Sequence, residues 1–512
     1  MTSESQAEIY DACIVGSGPI GVAVADYLLR LGRKVLVIER GPHRGTESLN
    51  DVIFNRSYYG GAIEGRLSGV GGTSAVWGGA MLPAQSFELN YHNLLWHSGY
   101  SIDRTKFDAS LSYIEGIFGV AFNELESSLS SEKHFVLRSA VWPTFKRRNV
   151  RNHLLSLSKS PNLTLRSQTQ VIDLIYEGQS VAGVKCLGDS GQVEIRARKV
   201  VLANGVIESL RLLHYIEVQY QKKFETCLGI NKHGVGKNLQ DHFSVPVAKI
   251  TPLSKEARSS LYEKFTFTFD SSGMRNRRLE LSEKYRKENG LPGAFLHVSF
   301  ESNNDNPFQA LRRILQGLQK SELPSWRDGY LLIKNISWLV RAVAYNVVKK
   351  KVLPPDDCCI TLNLVFEQAP SLNNAIYLAD KHGDRNDIPV PVIDWSHTDF
   401  DVTSLKNFLI CLKQSTELAS NHFSGCHLDF VSDEDAAELL HGIDGIFHPT
   451  GAMRQFSNCP AWKPASCELA NLEGVWAVNT GSLCSGTSTS PTLPAMQLAI
   501  LAAEELHESL NV

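Results

Sequence analysis

The sequence predicts an α/β protein: a Rossmann-like dinucleotide-binding domain assembled from discontinuous segments, and a second domain with an antiparallel sheet covered by helices. Three observations carry that expectation. The first forty residues read as a βαβ unit with a Gly-x-Gly-x-x-Gly turn. Strand-like runs resume at 163–202, and small Gly/Ser/Thr-rich chain followed by a helical pattern fills the last seventy residues. Between these segments, 243–440 carries strand candidates at 294–300, 360–367, 375–379 and 390–395 but few motifs.

Taken in order, 9–15 is a short apolar run with β-branched residues that ends at Gly16, as a buried parallel strand does. Residues 20–31, rich in Ala, Val and Leu and closed by Gly32, predict a helix. Residues 34–38 predict a second buried strand. The stretch 60–79 has too much glycine for a helix or an ordinary strand, so its backbone is expected to approach another group closely. Helical patterns are expected over 91–160, led in by Trp96 to Tyr100, and an antiparallel meander over 163–176, 181–186 and 193–202. The expected division is 1–90, 161–242 and 441–512 for the dinucleotide domain, 91–160 for a helical segment covering the cofactor, and 243–440 for the substrate domain.

The 512 residues are ample for two or three cores, and 43% hydrophobic with 21% charged residues is ordinary globular composition. A net charge of -3 gives no basic field for nucleic acid. The ten cysteines are scattered without metal-ligand spacing, which points to buried thiols, a reducing compartment and no metal. The polar N-terminus shows no signal peptide, and no charge-free run of spanning length occurs, so a cytoplasmic location is expected. Residues 308–318 and 330–351 are amphipathic, basic and aromatic, with Arg312, Arg313, Trp338, Arg341, Tyr345 and Lys349 to Lys351. Two readings stay open: a helix packing its apolar face on its own domain, or one lying on a membrane surface or over a pocket.

Gly16-Ser17-Gly18-Pro19-Ile20-Gly21 follows a strand and opens a helix, the context that gives the motif meaning. Gly16 makes the tight turn, Gly18 lets a pyrophosphate approach, and Gly21 lets helix and strand pack. Glu39, about twenty residues on, stands where a carboxylate can hold ribose hydroxyls, and Arg40 then turns the chain away. NAD and FAD share this fingerprint.

Later segments resemble the glucose-methanol-choline (GMC) oxidoreductases, over essentially the whole chain. Val70-Gly71-Gly72-Thr73-Ser74-Ala75-Val76-Trp77-Gly78-Gly79, followed by Ala80, is similar to the family's second glycine-rich stretch along the flavin. Val171 matches the position whose backbone meets the adenine, and the run Leu202-Ala203-Asn204-Gly205 resembles the turn leading into the family's SxxLL. Gly236-Lys237-Asn238-Leu239-Gln240-Asp241-His242 is similar to its GxNLxDH. The resemblance implies FAD. Some members attach it through a histidine where this chain has Val76, so the FAD is expected to be non-covalent. Trp96 to Tyr100 and Glu367-Gln368-Ala369-Pro370 look most like a bacterial branch near pyranose oxidase and sugar dehydrogenases, which implies a sugar, polyol or related alcohol as substrate. The acceptor stays open between oxygen and a quinone.

Alcohol oxidation by a flavin requires a base for the hydroxyl proton, and histidine suits it. Phe447-His448-Pro449-Thr450-Gly451-Ala452-Met453-Arg454 resembles the family's HxxGTxR, which implies His448 as the base. Asn479 and Thr480 open a segment that aligns through Pro491 and Thr492 with the end of the family's active site. The residue before that proline is Asn or His in the family and Ser490 here. Either Ser490 holds the substrate oxygen in a rearranged pocket, or the reaction differs: a lyase or elimination, or FAD retained without alcohol turnover.

Overall fold

The protein is described by a computed structural model over residues 8–85, 88, 103–122, 134–189, 191–271, 273–302, 305–320, 323–355, 357–384, 386–453, 461–463 and 466–511. The Trp96 to Tyr100 lead-in and Arg454 lie outside the described residues.

Strands β1 (Tyr10–Val15) and β2 (Val35–Ile38) are short, branched and almost wholly buried, as parallel strands covered on both faces must be. Helix Pro19–Arg30 joins them; proline sits in its first turn, where a missing N–H costs nothing. β7 (Leu163–Arg166) pairs with β2, and β10 (Gly191–Leu202) with β1, both parallel. β19 (Val475–Ala477) pairs with the far side of β10, so the sheet is completed from the C-terminal region. Helices Pro19–Arg30 and Thr492–Ser509 pack together on one face, with Val24, Leu28, Leu498 and Met496 in a common core.

Residues 163–176, read from sequence as one strand of a meander, are two strands. The chain turns between them, with Gln168 at φ 52°. β7 goes to the edge of the parallel sheet; β8 (Gln170–Glu177), β9 (Ser180–Gly188) and the first half of β10 form the antiparallel meander.

The second sheet has the order β12 (Thr268–Phe269), β13 (Gly273–Leu281), β14 (Ala294–Glu301), β15 (Cys359–Glu367), β11 (His242–Pro252), β18 (Cys426–Phe430). β6 (Phe135–Pro143) pairs with β13 along nine residues. That strand corrects the helical reading of 91–160. Helices Arg104–Phe118, Phe145–Arg148 and Arg151–Leu157 do form there, but the apolar run between them is drawn into β pairing by its distant partner.

Alternation gives this sheet two unlike faces. Leu279, Leu296, Leu364 and Phe366 point into a core shared with Leu405 and Phe408 of helix Asp399–Gln414. Each such fully buried side chain contributes about 1.5–3 kcal/mol relative to exposure. Between them in sequence, Arg278, Glu280, His297, Asn363 and Glu367 lie on the opposite face. β16 (Ala375–Gly383) and β17 (Pro389–Asp394) form a third sheet with β4 (Ile53–Phe54) rather than extending the second. β3 (Glu47–Ser48) and β5 (Leu67–Ser68) pair as a small ribbon. The amphipathic segment forms helices Pro307–Lys320, Trp326–Lys334 and Ile336–Lys349.

Candidate active site

The glycines of the first turn do different work. Gly16 has φ 100°, and a Cβ there would stand 2.7 Å from the Ala203 carbonyl oxygen. A Cβ on Gly21 would lie 2.0 Å from the Gly16 oxygen, so only glycine lets the helix sit this close to the turn. A Cβ on Gly18 would meet nothing within 4 Å, which leaves room at the helix N-terminus for a ligand. No side chain caps that terminus, so its first N–H groups are left for an anion. The second glycine-rich stretch comes alongside: a Cβ on Gly72 would be 3.2 Å from the Gly18 Cα.

Glu39 is buried. One oxygen accepts from Ser17 N (3.2 Å) and Ser17 Oγ (2.7 Å); the other accepts from Gly41 N and Gly69 N, both at 3.0 Å. As placed here it braces the loops, and turning an oxygen toward a ribose would exchange some of those bonds. Arg40 pairs with Asp51 at 3.0 Å while its Nη1 is buried without a hydrogen-bond partner. Ser74 Oγ accepts from Val150 N at 3.1 Å, and Trp77 Nε1 donates to the Arg148 carbonyl at 3.0 Å. Thr73 Oγ1 donates to the Gly65 carbonyl at 3.3 Å. Gly78 and Val76 are exposed, Gly79 needs its φ of 77°, and Ala80 is half-buried. Ala203 N donates to Val15 O at 2.9 Å, fixing β10 beside the turn, and Asn204 Oδ1 accepts from Ser209 Oγ at 2.7 Å. Val171 is buried on β8.

Asn479 is buried, its Oδ1 accepting from Gly481 N at 2.8 Å and its Nδ2 without a partner. Pro491 and Thr492 open the last helix, again with no side-chain cap. Two uncapped helix ends and the unpartnered Asn479 amide suit a dinucleotide: its phosphates would take the helix ends, and a ribose or ring edge the Asn479 Nδ2.

His448 is carried on the segment 447–453, which is stitched to the C-terminal segment by Gly451 N to Leu483 O (2.8 Å) and Met453 N to Gly481 O (3.0 Å). Asp241 ties it to β11. One Asp241 oxygen accepts from His242 N (2.7 Å) and His448 N (2.9 Å), the other from Tyr59 Oη (2.5 Å). Burial pushes the Asp241 carboxyl up, and these donors hold it down. The His242 and His448 rings meet edge to face at 5.2 Å, and the His242 Nε2 lies 2.7 Å from the Thr487 carbonyl oxygen. Phe447 and Thr487, one on each side of this pair, have φ of 67° and 61°. Such backbone costs roughly 1–3 kcal/mol per residue and is held by its surroundings.

Enclosure drives the His448 pKa well below the ordinary imidazole value, and the nearby His242 ring and Arg278 guanidinium reinforce the shift. The side chain still keeps some exposed surface, and its Nδ1 is buried without a partner. The ring is therefore held neutral. His297, on β14, is held to about 4 by burial and then by Arg278.

The turn 484–490 closes the polar face of the second sheet. Ser485 Oγ donates to Glu367 at 2.7 Å, and Ser488 N to Glu88 at 2.9 Å. Glu280 accepts from Arg138 at 2.7 Å and lies 3.2 Å from Arg278. Arg278 keeps a buried Nη2 without a partner. Ser490 is half-buried, and no hydrogen bond joins it to His448 among the described residues. Of this constellation, sequence reasoning singled out only His448 and Ser490. Asp241 stood in a quoted motif without a role, and Tyr59, Arg278, His297 and Glu280 were missed, because strand register and a contact 182 residues apart in the chain bring them together. The alternation of β13 and β14 was the one available signal.

A dinucleotide cradle beside the polar side of an antiparallel sheet fits a two-domain flavoprotein with FAD as its cofactor. The family model for GMC oxidoreductases matches residues 118–244, and that for pyridine nucleotide-disulphide oxidoreductases matches 11–51. The match to GMC oxidoreductases thus covers about a quarter of the chain.

Among characterised relatives, 5-(hydroxymethyl)furfural oxidase of Methylovorus sp. (strain MP688) is 31% identical over 108 residues, 20% of either chain. Oxygen-dependent choline dehydrogenase of Escherichia coli (strain K12 / DH10B) is 31% identical over 112 residues, again 20% of each. The matched stretch thus spans a fifth of these relatives. Over the whole chain, pyridoxine 4-oxidase from Mesorbium loti superposes with a TM-score of 0.56 at 16% identity, covering 98% of this chain and 99% of that one. A fungal aryl-alcohol oxidase gives 0.59 at 14% identity with the same coverage. These structures share the fold.

Proposed function

We propose that the protein is an FAD-dependent oxidoreductase that converts a CH–OH group of a small molecule to a carbonyl, with His448 taking the hydroxyl proton. When bound, FAD supplies the acceptor for the hydride leaving the carbon. The observation that carries the reading is the placement of His448, fixed through its backbone by Asp241 at 2.9 Å and set edge to face with His242 at 5.2 Å, in an enclosure that favours the neutral ring. A base must be unprotonated and orientable, and this site provides both. Ser490 supplies a shorter hydrogen-bonding group where the family carries Asn or His. A hydroxyl-rich substrate such as a sugar or polyol suits the face bearing His297, Ser299 and Asn363. The names of the two relatives, a (hydroxymethyl)furfural oxidase and a choline dehydrogenase, support alcohol chemistry in general. The electron acceptor is oxygen or a quinone, distinguished by mixing the reduced protein with each.

The test is anaerobic mixing with sugars, polyols and simple alcohols while following the flavin's visible band, with product analysis. His448→Ala should slow bleaching at least ~100-fold. If no alcohol bleaches the wild type while an elimination turns over, the oxidoreductase reading fails and the lyase reading replaces it. If His448→Ala bleaches as fast as wild type, the base lies elsewhere.

A further inference from the structure

The helices over 307–349 carry an apolar stripe on the wrong side. In helix Ile336–Lys349, Ile336, Val340, Val343 and Val347 recur at the spacing of one helical face, and each is more than half exposed, Val343 the least at 54%. The same helix turns Trp338 inward, buried and edge-on to Phe308. Trp326 (84%), Tyr330 and Ile333 continue the exposed surface along helix Trp326–Lys334, which meets the next helix at 85°. Isolated exposed apolar residues need no explanation, but a contiguous stripe of this extent marks an interaction surface.

The charge around the stripe says what covers it. Residues 307–351 hold nine Lys and Arg against two Asp and Glu, in a chain whose net charge is -3. The positive charge is therefore concentrated on this segment, while the remainder is acidic and is repelled by an anionic surface. Lys334 and Arg341 lie on the same two helices as the apolar stripe, with aromatic Trp326 and Tyr330 at its end, the composition of a helix lying in a lipid headgroup layer, while Lys349 pairs with Glu263 at 3.7 Å. Spanning is a poorer fit. No single helix among the described residues is long and apolar enough to cross a membrane, and fourteen residues reach only about 21 Å against a hydrocarbon core of about 30 Å.

We infer that the bent helix pair is a monotopic docking surface for an anionic phospholipid bilayer. Its root is tied to the cofactor cradle. Gln319 Nε2 donates to the carbonyls of Ser74 and Trp77, both at 3.0 Å, and the Gln319 carbonyl accepts from Asn149 at 3.1 Å. Arg313 and Asp328, bonded at 2.9 Å, lock the first helix to the second. The docked hairpin thereby holds the second glycine-rich stretch near the headgroup layer.

The experiment is sedimentation of the FAD-loaded protein with vesicles of phosphatidylglycerol and phosphatidylcholine, or of phosphatidylcholine alone. Wild type is expected to pellet with the anionic vesicles and to be released by salt. The variant Ile336→Ser/Val340→Ser/Val343→Ser/Val347→Ser should pellet at least ~10-fold less while keeping its circular dichroism and bound FAD. Lys320→Gln/Lys334→Gln should weaken binding to the anionic vesicles alone. Equal pelleting of wild type and the four-serine variant overturns the inference. So does wild type that stays in solution with both vesicles, including the case where light scattering shows a dimer that the serines dissociate, which would make a second copy the occupant. Neither readout depends on alcohol turnover, so loss of the oxidoreductase reading leaves this test intact.

Discussion

Gly18→Ala and Gly21→Ala are the same chemical change, three residues apart, and the structure assigns them opposite consequences. At Gly21 the new methyl carbon would stand 2.0 Å from the Gly16 oxygen and 3.3 Å from Ile14 Cγ2. Non-bonded heavy atoms settle at about 3.5–4.0 Å, so helix Pro19–Arg30 must move off β1 by an ångström or more. Overpacking of that kind costs roughly 1–3 kcal/mol, against the ~1 kcal/mol that alanine gains over glycine inside a helix. The expected net result is a lower melting temperature with or without FAD. At Gly18 the methyl meets no protein atom within 4 Å, and φ of -69° suits alanine. The apoprotein should melt as wild type does. Only a ligand packed against that Cα would feel the methyl, so FAD affinity should fall at least ~10-fold, about 1.4 kcal/mol. Differential scanning fluorimetry on stripped protein and fluorescence titration with FAD read the two effects separately. Wild-type affinity in Gly18→Ala would refute the approach of the pyrophosphate to this turn; an unchanged melting temperature in Gly21→Ala would refute the packing argument.

Because burial, His242 and Arg278 hold the His448 pKa down, the acid limb of kcat/KM should lie well below the ordinary imidazole value. Arg278→Met removes one of the depressing charges, so the pKa rises and that limb moves to higher pH; an unmoved limb would show that Arg278 does not act on the base. Ser490→Ala should slow flavin reduction by roughly 2- to 13-fold, the worth of one hydrogen bond, far less than His448→Ala. A wild-type rate would remove Ser490 from the site. Asp241→Asn keeps an acceptor for the His448 and His242 amides but loses the charge, and Tyr59→Phe removes its third donor; each is expected to lower kcat with little change in KM, measured by steady-state kinetics.

The βαβ unit was legible because everything that makes it is local: two branched strands, an alanine-rich helix, and glycines whose spacing states where backbones touch. The cradle's later pieces were legible only through resemblance. β6 was not, because its apolar run fits either period until a partner nine residues long is supplied by β13. The 163–176 run hid a change of sheet at Gln168 that hydrophobicity does not record. His448 could be named from its neighbours in sequence. What makes it a base, the enclosure together with His242 and Arg278, is a property of register. The stripe at 336–347 was readable as amphipathic, but a periodicity is the same whether its apolar side faces a core or open space.

The pairing of β19 with β10 has a consequence for how the chain comes into being. β1 and its helix leave the ribosome about 460 residues before Val475–Ala477, which at 5–20 residues per second is on the order of half a minute or more. Over the last ~270 residues of that interval the side of β10 that will receive β19 stands unpaired, and throughout it the hydrophobic side of helix Pro19–Arg30 lacks helix Thr492–Ser509. Nascent protein is thus obliged to wait with its earliest strands committed and their cover unmade. Until then the exposed edge and apolar face are surfaces on which the nascent chain can misassociate.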